Sequence, residues 1–107
     1  MYFGLSEEQS FFKDNVKKYL EDNASLDQIR KIASNDETSI GKEIHQGFLN
    51  LGVNGLLIPE EFGGLGLDLL FAAVVSESLG ACAGPVPYIA PYVMAPRAIM
   101  AGGSPAQ

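Results

Sequence analysis

Between Leu51 and Gly80 the chain passes through four kinds of backbone in thirty residues. A helix end at Leu51 and Gly52 gives way to a short apolar run, Leu56 to Ile58, then to a Pro59-Glu60-Glu61 turn, a glycine-rich loop and a near-chargeless helix. Gly63, Gly64 and Gly66 give this loop backbone freedom, so it can fold tightly and let another surface approach the main chain. No chain can continue one helix through such a stretch, so it must reverse or turn here. The loop lacks the chemistry of a nucleotide site. No Lys, Ser or Thr follows the glycines at phosphate-loop spacing, and they do not join a convincing strand to a helix as a dinucleotide fingerprint requires.

The charges are unevenly placed. Residues 1–42 hold fourteen of the twenty charged residues, and residues 62–107 hold only Asp68, Glu77 and Arg97. Ordinary usage would put roughly eleven charges in those last forty-six residues. The second half is therefore predicted to be covered. Leu69 to Val75, LLFAAVV, is apolar on every face of a helix and needs packing on more than one side. The surface built from Leu69–Val75 and Val86–Met100 is expected to lie against protein outside a 107-residue monomer.

A chain of this length is one domain. Its net charge of -6 argues against a nucleic-acid partner and against electrostatic anchoring to an anionic membrane. No apolar run approaches the roughly twenty residues of a membrane helix, so no membrane insertion is expected. The opening five residues are too short and lack the basic start of a secretion signal. One cysteine excludes an internal disulfide framework and fits a reducing, cytoplasmic setting.

Helix starts are readable in the first half. Ser6 with Gln9 and Ser25 with Gln28 each form a capping-box pattern. Phe12, Val16, Tyr19 and Leu20 then fall on one helical stripe, as do Ile29, Ile32 and Ala33, and Ile40, Ile44, Phe48 and Leu51. Gly52 suits a left-handed C-terminal cap, Asn35 to Ser39 reads as a loop, and Leu56–Ile58, the only strand candidate, is too short to found a sheet. The fold class is all-α, a bundle of about five helices near residues 6–23, 26–34, 39–51, 68–82 and, interrupted by proline, 88–101. At the end, Ser104-Pro105-Ala106-Gln107 reads as a further helix start. That pattern predicts a fragment, a proteolysed chain or a separately encoded piece.

The order Pro59-Glu-Glu-Phe-Gly-Gly-Leu-Gly, followed by an apolar helix ending Ser-Glu-Ser-Leu-Gly80, resembles the N-terminal helical domain of the acyl-CoA dehydrogenase family. Leu5-Ser-Glu-Glu-Gln-Ser-Phe-Phe12 resembles the first helix of that domain, and Ile99 to Gln107 the segment where the family leaves it. The resemblance covers essentially residues 1–107. It implies a parent enzyme, a flavoprotein oxidoreductase of lipid metabolism, that removes an α-proton and a β-hydride from an acyl-CoA thioester with FAD. It also implies that the middle β-domain and the C-terminal helical domain, which supply the catalytic carboxylate and most flavin contacts, lie outside this chain. Family members are commonly dimers or tetramers, so a homo-oligomer is implied.

What the resemblance leaves for this domain is wall. It places the turn after Gly80 and the next segment along the acyl side of the substrate cavity, at Val86, Pro87, Tyr88, Pro91, Tyr92 and Ala95. These residues are apolar apart from two phenols able to meet a polar atom. Pro85, Pro87, Pro91 and Pro96 depart from the family, which commonly has a continuous helix here. The same tyrosines also read as ordinary core.

No residue reads as catalytic, cofactor-binding or metal-binding within this chain. His45 has no Cys or second His at ligand spacing and reads as a surface or half-buried residue. Cys82 has no base beside it in sequence. Glu60 and Glu61 are adjacent on a turn and point apart, which does not suit an acid and base pair. Glu77, alone in an apolar helix, reads as a paired or half-exposed carboxylate. Three readings follow: the dehydrogenase domain just described, a non-catalytic module pairing with a chain that carries the remaining domains, and an independent carrier of an apolar ligand.

Overall fold

The computed structural model describes residues 3–34 and 38–107. Its elements are α1 (Glu7–Asn23), α2 (Leu26–Ala33), α3 (Thr38–Leu49), α4 (Leu69–Ala81) and α5 (Ala95–Gly102), with short 3-10 turns at Val53–Gly55 and Glu60–Phe62 and a widened π turn at Ile89–Met94. The all-α bundle is therefore observed. Among the described residues there is no strand.

Both expected capping boxes are formed. Gln9 N–H donates to Ser6 Oγ at 3.1 Å, and Gln9 Oε1 accepts from Ser6 N–H at 2.9 Å. Ser25 and Gln28 repeat the exchange. Each box satisfies two amides that a helix start would otherwise leave unpaired. Asp68 caps α4 by accepting from the amides of Leu70 and Phe71. Part of the loop expected at Asn35–Ser39 lies outside the described residues, and α3 already begins at Thr38.

Helix α1 lies along α4, and α3 packs on α1 and α2. The core between them holds Val16 and Leu20 from α1, Ile44 and Phe48 from α3, and Phe71 and Val75 from α4. Lys13 bridges to Glu77 at 3.1 Å across α1 and α4, so of the two alternatives expected Glu77 is the paired carboxylate, with its side chain exposed.

The expectation for α4 needs correction. Phe71, Ala72, Val74 and Val75 are buried within this chain, because α1 covers the face that composition left without a partner. Only Leu69, Leu70 and Ala73 of that run are exposed. A Val75→Glu change would thus strike the core, not an assembly surface.

The glycine-rich loop folds back on the run before it. Leu65, Gly66 and Leu67 donate their amides to the carbonyls of Gly55, Ile58 and Leu56, at 2.9, 2.8 and 2.9 Å. Of the strand candidate Leu56–Ile58, Leu56 and Leu57 form a buried turn and Ile58 a half-buried bend. Three such bonds between two short arms make no strand pair, and the turn that precedes them packs on α3. Gly64 makes the approach possible, since a Cβ there would collide with the Ile58 carbonyl. Gly52 and Gly63 sit at φ of 87° and 86°, where side-chain-bearing residues are strained.

The molecule is a slab of 42 × 39 × 17 Å with a radius of gyration of 15.0 Å, against about 13 Å for a compact domain of this length. Its accessible surface is 7029 Å², roughly 1,200 Å² more than the about 5,800 Å² of a compact monomer of this mass. Part of the excess is apolar: Phe62, Leu70, Ile89, Met94 and Ile99 are all exposed.

Candidate functional site

The segment after α4 starts from a tight helix end. Gly84 N–H donates to Leu79 O at 2.9 Å and Ala83 N–H to Gly80 O at 3.4 Å, the two bonds of a Schellman motif. Ala83 takes the left-handed position at φ 50°, where glycine is usual. Cys82 caps α4 half-buried, as a free thiol.

From there the chain cannot form a regular helix at once. Pro91 and Pro96 have no N–H to donate. Tyr92 N–H reaches Tyr88 O at 3.0 Å, but Ala95 N–H passes over Pro91 to Ala90 O, a five-residue step. The result is the π turn Ile89–Met94, continuing into α5 with Pro96 in its first turn. The proline interruption expected from the sequence therefore takes the form of a widened turn rather than a break.

The six expected wall residues divide by burial. Pro87, Pro91 and Ala95 are exposed, Val86 and Tyr92 are half-buried against the core, and Tyr88 is buried at 4% exposure. Tyr88 stands edge-on to Phe48 of α3, with ring centres 6.4 Å apart and planes at 90°. The Tyr92 ring lies 6.1 Å from Tyr88. Tyr92 Oη meets His45 Nε2 at 3.0 Å, and their rings are 6.0 Å apart. The Tyr88 hydroxyl is buried without a hydrogen-bond partner. Burial pushes its phenol up to about 12, because the anion would lose its hydration.

His45 is thus half-buried, as read from the sequence, but its link to Tyr92 was not legible there. The two residues are 47 positions apart. The one available sign is that Tyr88 and Tyr92, four apart, share a helical face, as do His45 and Phe48, three apart. Further along, an apolar cleft of about 520 Å³ opens between Ile58, Pro59 and Phe62 on one side and Ile99, Met100 and Pro105 on the other. None of the six wall residues borders it.

The family model described as acyl-CoA dehydrogenase, N-terminal domain, matches residues 6–107. The chain belongs to the acyl-CoA dehydrogenase family. Among curated relatives it is 35% identical over 88 residues to the acyl-CoA dehydrogenase IpdE2 of Mycolicibacterium smegmatis, covering 79% of this chain and 27% of that protein. It is 32% identical over 83 residues to the mitochondrial isovaleryl-CoA dehydrogenase of Bos taurus, covering 78% of this chain and 19% of the relative. With (2S)-methylsuccinyl-CoA dehydrogenase of Cereibacter sphaeroides it shares 37% identity over 76 residues, 71% of this chain and 14% of the relative. The chain therefore spans between 14% and 27% of the length of these relatives. No solved structure matches it significantly.

The acyl-CoA dehydrogenase N-terminal domain seen here gathers no group of three His, Cys, Asp or Glu side chains for a metal among the described residues. No helix among them is long and apolar enough to cross a membrane. Its glycine loop does not fit a phosphate group of a flavin. The amides of Gly63, Gly64, Leu65 and Gly66 already donate to backbone carbonyls, so none is left to cradle an anion.

Proposed function

We propose that this chain is the N-terminal helical domain of an FAD-dependent acyl-CoA dehydrogenase, and that Val86, Pro87, Tyr88, Pro91, Tyr92 and Ala95 form its share of the acyl wall. The observation that carries the reading is the family match across residues 6–107, joined to a loop whose backbone bonds and close approach account for its glycines. In the full enzyme, the α,β-dehydrogenation of the thioester is performed by groups outside this chain. The exposed Pro87, Pro91 and Ala95 offer the apolar side of the cavity, while Tyr88 anchors the segment to α3.

The slab shape supports a second part of the proposal. Roughly 1,200 Å² of surface in excess of a compact monomer exceeds the about 800 Å² that one partner gives to a standard interface. The exposed apolar residues around Phe62, Leu70, Ile89 and Ile99 would be covered by further domains, a partner subunit or a second copy. By this reading the isolated chain neither turns over acyl-CoA nor retains FAD. A cytoplasmic setting belongs to the same proposal, on the strength of the lone cysteine.

A domain exchange tests the assignment. Residues 6–107 would replace the matching segment of the bovine isovaleryl-CoA dehydrogenase, followed by flavin content and acyl-CoA-dependent dye reduction. A chimera that retains FAD and reduces dye supports the assignment. A folded chimera with FAD but no activity toward any acyl-CoA opposes it.

A further inference from the structure

The segment that carries the proposed wall is poorly held by its own backbone. Pro91 and Pro96 each remove an amide from the ladder, Ala95 N–H steps back five residues, and neither the π turn nor α5 has a side-chain cap. Such a turn has more than one way to close, and something outside it must choose. Two contacts with α3 are available. Phe48 meets the Tyr88 ring edge-on, which anchors Tyr88 at the start of the turn, but the Tyr88 hydroxyl has no hydrogen-bond partner. His45 meets Tyr92 through a 3.0 Å hydrogen bond. Among the described residues this is the sole side-chain to side-chain hydrogen bond that ties residues 85–102 to the rest of the chain.

We propose that His45 is a positioning residue for the acyl wall: its imidazole, bonded to the Tyr92 hydroxyl, selects the widened form of the Ile89–Met94 turn and so sets where Pro91 and Ala95 stand. The inference rests on the reading of this segment as wall. His45 itself touches no reacting atom in this account. Tyr92 lies one residue after Pro91 and three before Ala95, so a rotation of the turn that moved Tyr92 would move both. The pairing also gives the half-buried imidazole and phenol each a partner, which makes the arrangement cheaper than any that separates them.

The test is amide hydrogen exchange on the 107-residue chain, comparing wild type with His45→Leu, Tyr92→Phe and His45→Gln. His45→Leu keeps apolar bulk but cannot bond to Tyr92, whereas the Gln side chain places an amide near the position of Nε2. The expected result is exchange at Met94 and Ala95 faster by about three- to tenfold in His45→Leu and in Tyr92→Phe. Amides of α1 and α4 should be unchanged, and His45→Gln should return the turn to within about twofold of wild type. Unchanged exchange at Met94 and Ala95 would overturn the proposal. So would an equal acceleration across the whole chain, or a Gln variant no better than Leu. A parallel titration of the exchanged-domain isovaleryl-CoA dehydrogenase with isovaleryl-CoA, read at the Ala90 to Ala95 amides, addresses the wall reading separately. Its failure there, with the exchange result as expected, would leave His45 holding a turn that is not an acyl wall.

Discussion

Ala83→Gly should stabilise this chain, although it removes a methyl group and lengthens a glycine-containing stretch. Ala83 is the sole non-glycine residue with positive φ among the described residues, at 50°. Its Cβ in that region costs about 1–2 kcal/mol. Glycine removes that cost but adds unfolded-state entropy of roughly 0.5–1 kcal/mol. The difference is a net gain of about 0.5–1 kcal/mol. The two capping bonds, from Ala83 and Gly84 to Gly80 and Leu79, survive because they use backbone atoms alone. For a domain of this size that gain raises the thermal midpoint by roughly 2–8 °C. Urea unfolding followed by circular dichroism at 222 nm would measure it, with an unchanged slope required. A neutral or destabilised variant would refute the argument, since it would mean that the left-handed position is not occupied or is not strained.

Gly64→Ala should act in the opposite direction, because the new Cβ meets the Ile58 carbonyl and the Gly66 to Ile58 bond must open. A loss of about 2–3 kcal/mol is expected by the same unfolding assay, from one or two backbone hydrogen bonds and the displaced packing. A change below about 0.5 kcal/mol would show that the loop does not close as described. Tyr88 gives a pH dependence. Its folded-state value near 12 lies above the unfolded value of about 10, so the unfolded chain releases the proton first. The contribution is therefore intact below pH 10 and is lost as pH rises toward 12, by up to about 2–3 kcal/mol. Tyr88→Phe should flatten this alkaline fall and, by removing an unpaired buried hydroxyl, should leave neutral-pH stability equal or higher by about 1 kcal/mol. An alkaline profile identical in the two proteins would contradict it.

Much of the fold is legible because its signals are local. A Ser three residues before a Gln states where a helix begins, and a stripe such as Phe12, Val16, Tyr19, Leu20 states which face is buried. Glycines at 63, 64 and 66 announce a tight loop, though not that it would pair with Gly55, Leu56 and Ile58. The misjudged features depend on partners distant in sequence. Leu69–Val75 seemed to lack cover because nothing in its own composition reveals that α1 lies along it. The apolar run Leu56–Ile58, too short to found a sheet, forms a turn buried at Leu56 and Leu57, as an all-α fold requires. The left-handed residue after α4 was also hidden, since Gly84 would be the natural choice and Ala83 takes the position.

The proposed wall was legible only through family resemblance, and its support was not legible at all. Tyr88 and Tyr92 have the spacing of one helical face, but the sequence does not say that Phe48 and His45 stand opposite. Four prolines predict an irregular helix without specifying its form. A five-residue step over Pro91 is a choice that tertiary contacts make.

The central claim is that the segment from Val86 to Ala95 borders the acyl group of a bound acyl-CoA. Ala95 is exposed in this chain, so a larger side chain there should leave the fold intact. The deciding measurement is the steady-state kinetics of Ala95→Phe in the exchanged-domain isovaleryl-CoA dehydrogenase, beside the unfolding of the same variant in the isolated chain. The account predicts stability within about 0.5 kcal/mol of wild type and a KM for isovaleryl-CoA raised by roughly tenfold or more, as expected when a phenyl ring takes acyl volume worth about 1.4 kcal/mol or more of binding. An active chimera whose KM is unchanged by Ala95→Phe would contradict it.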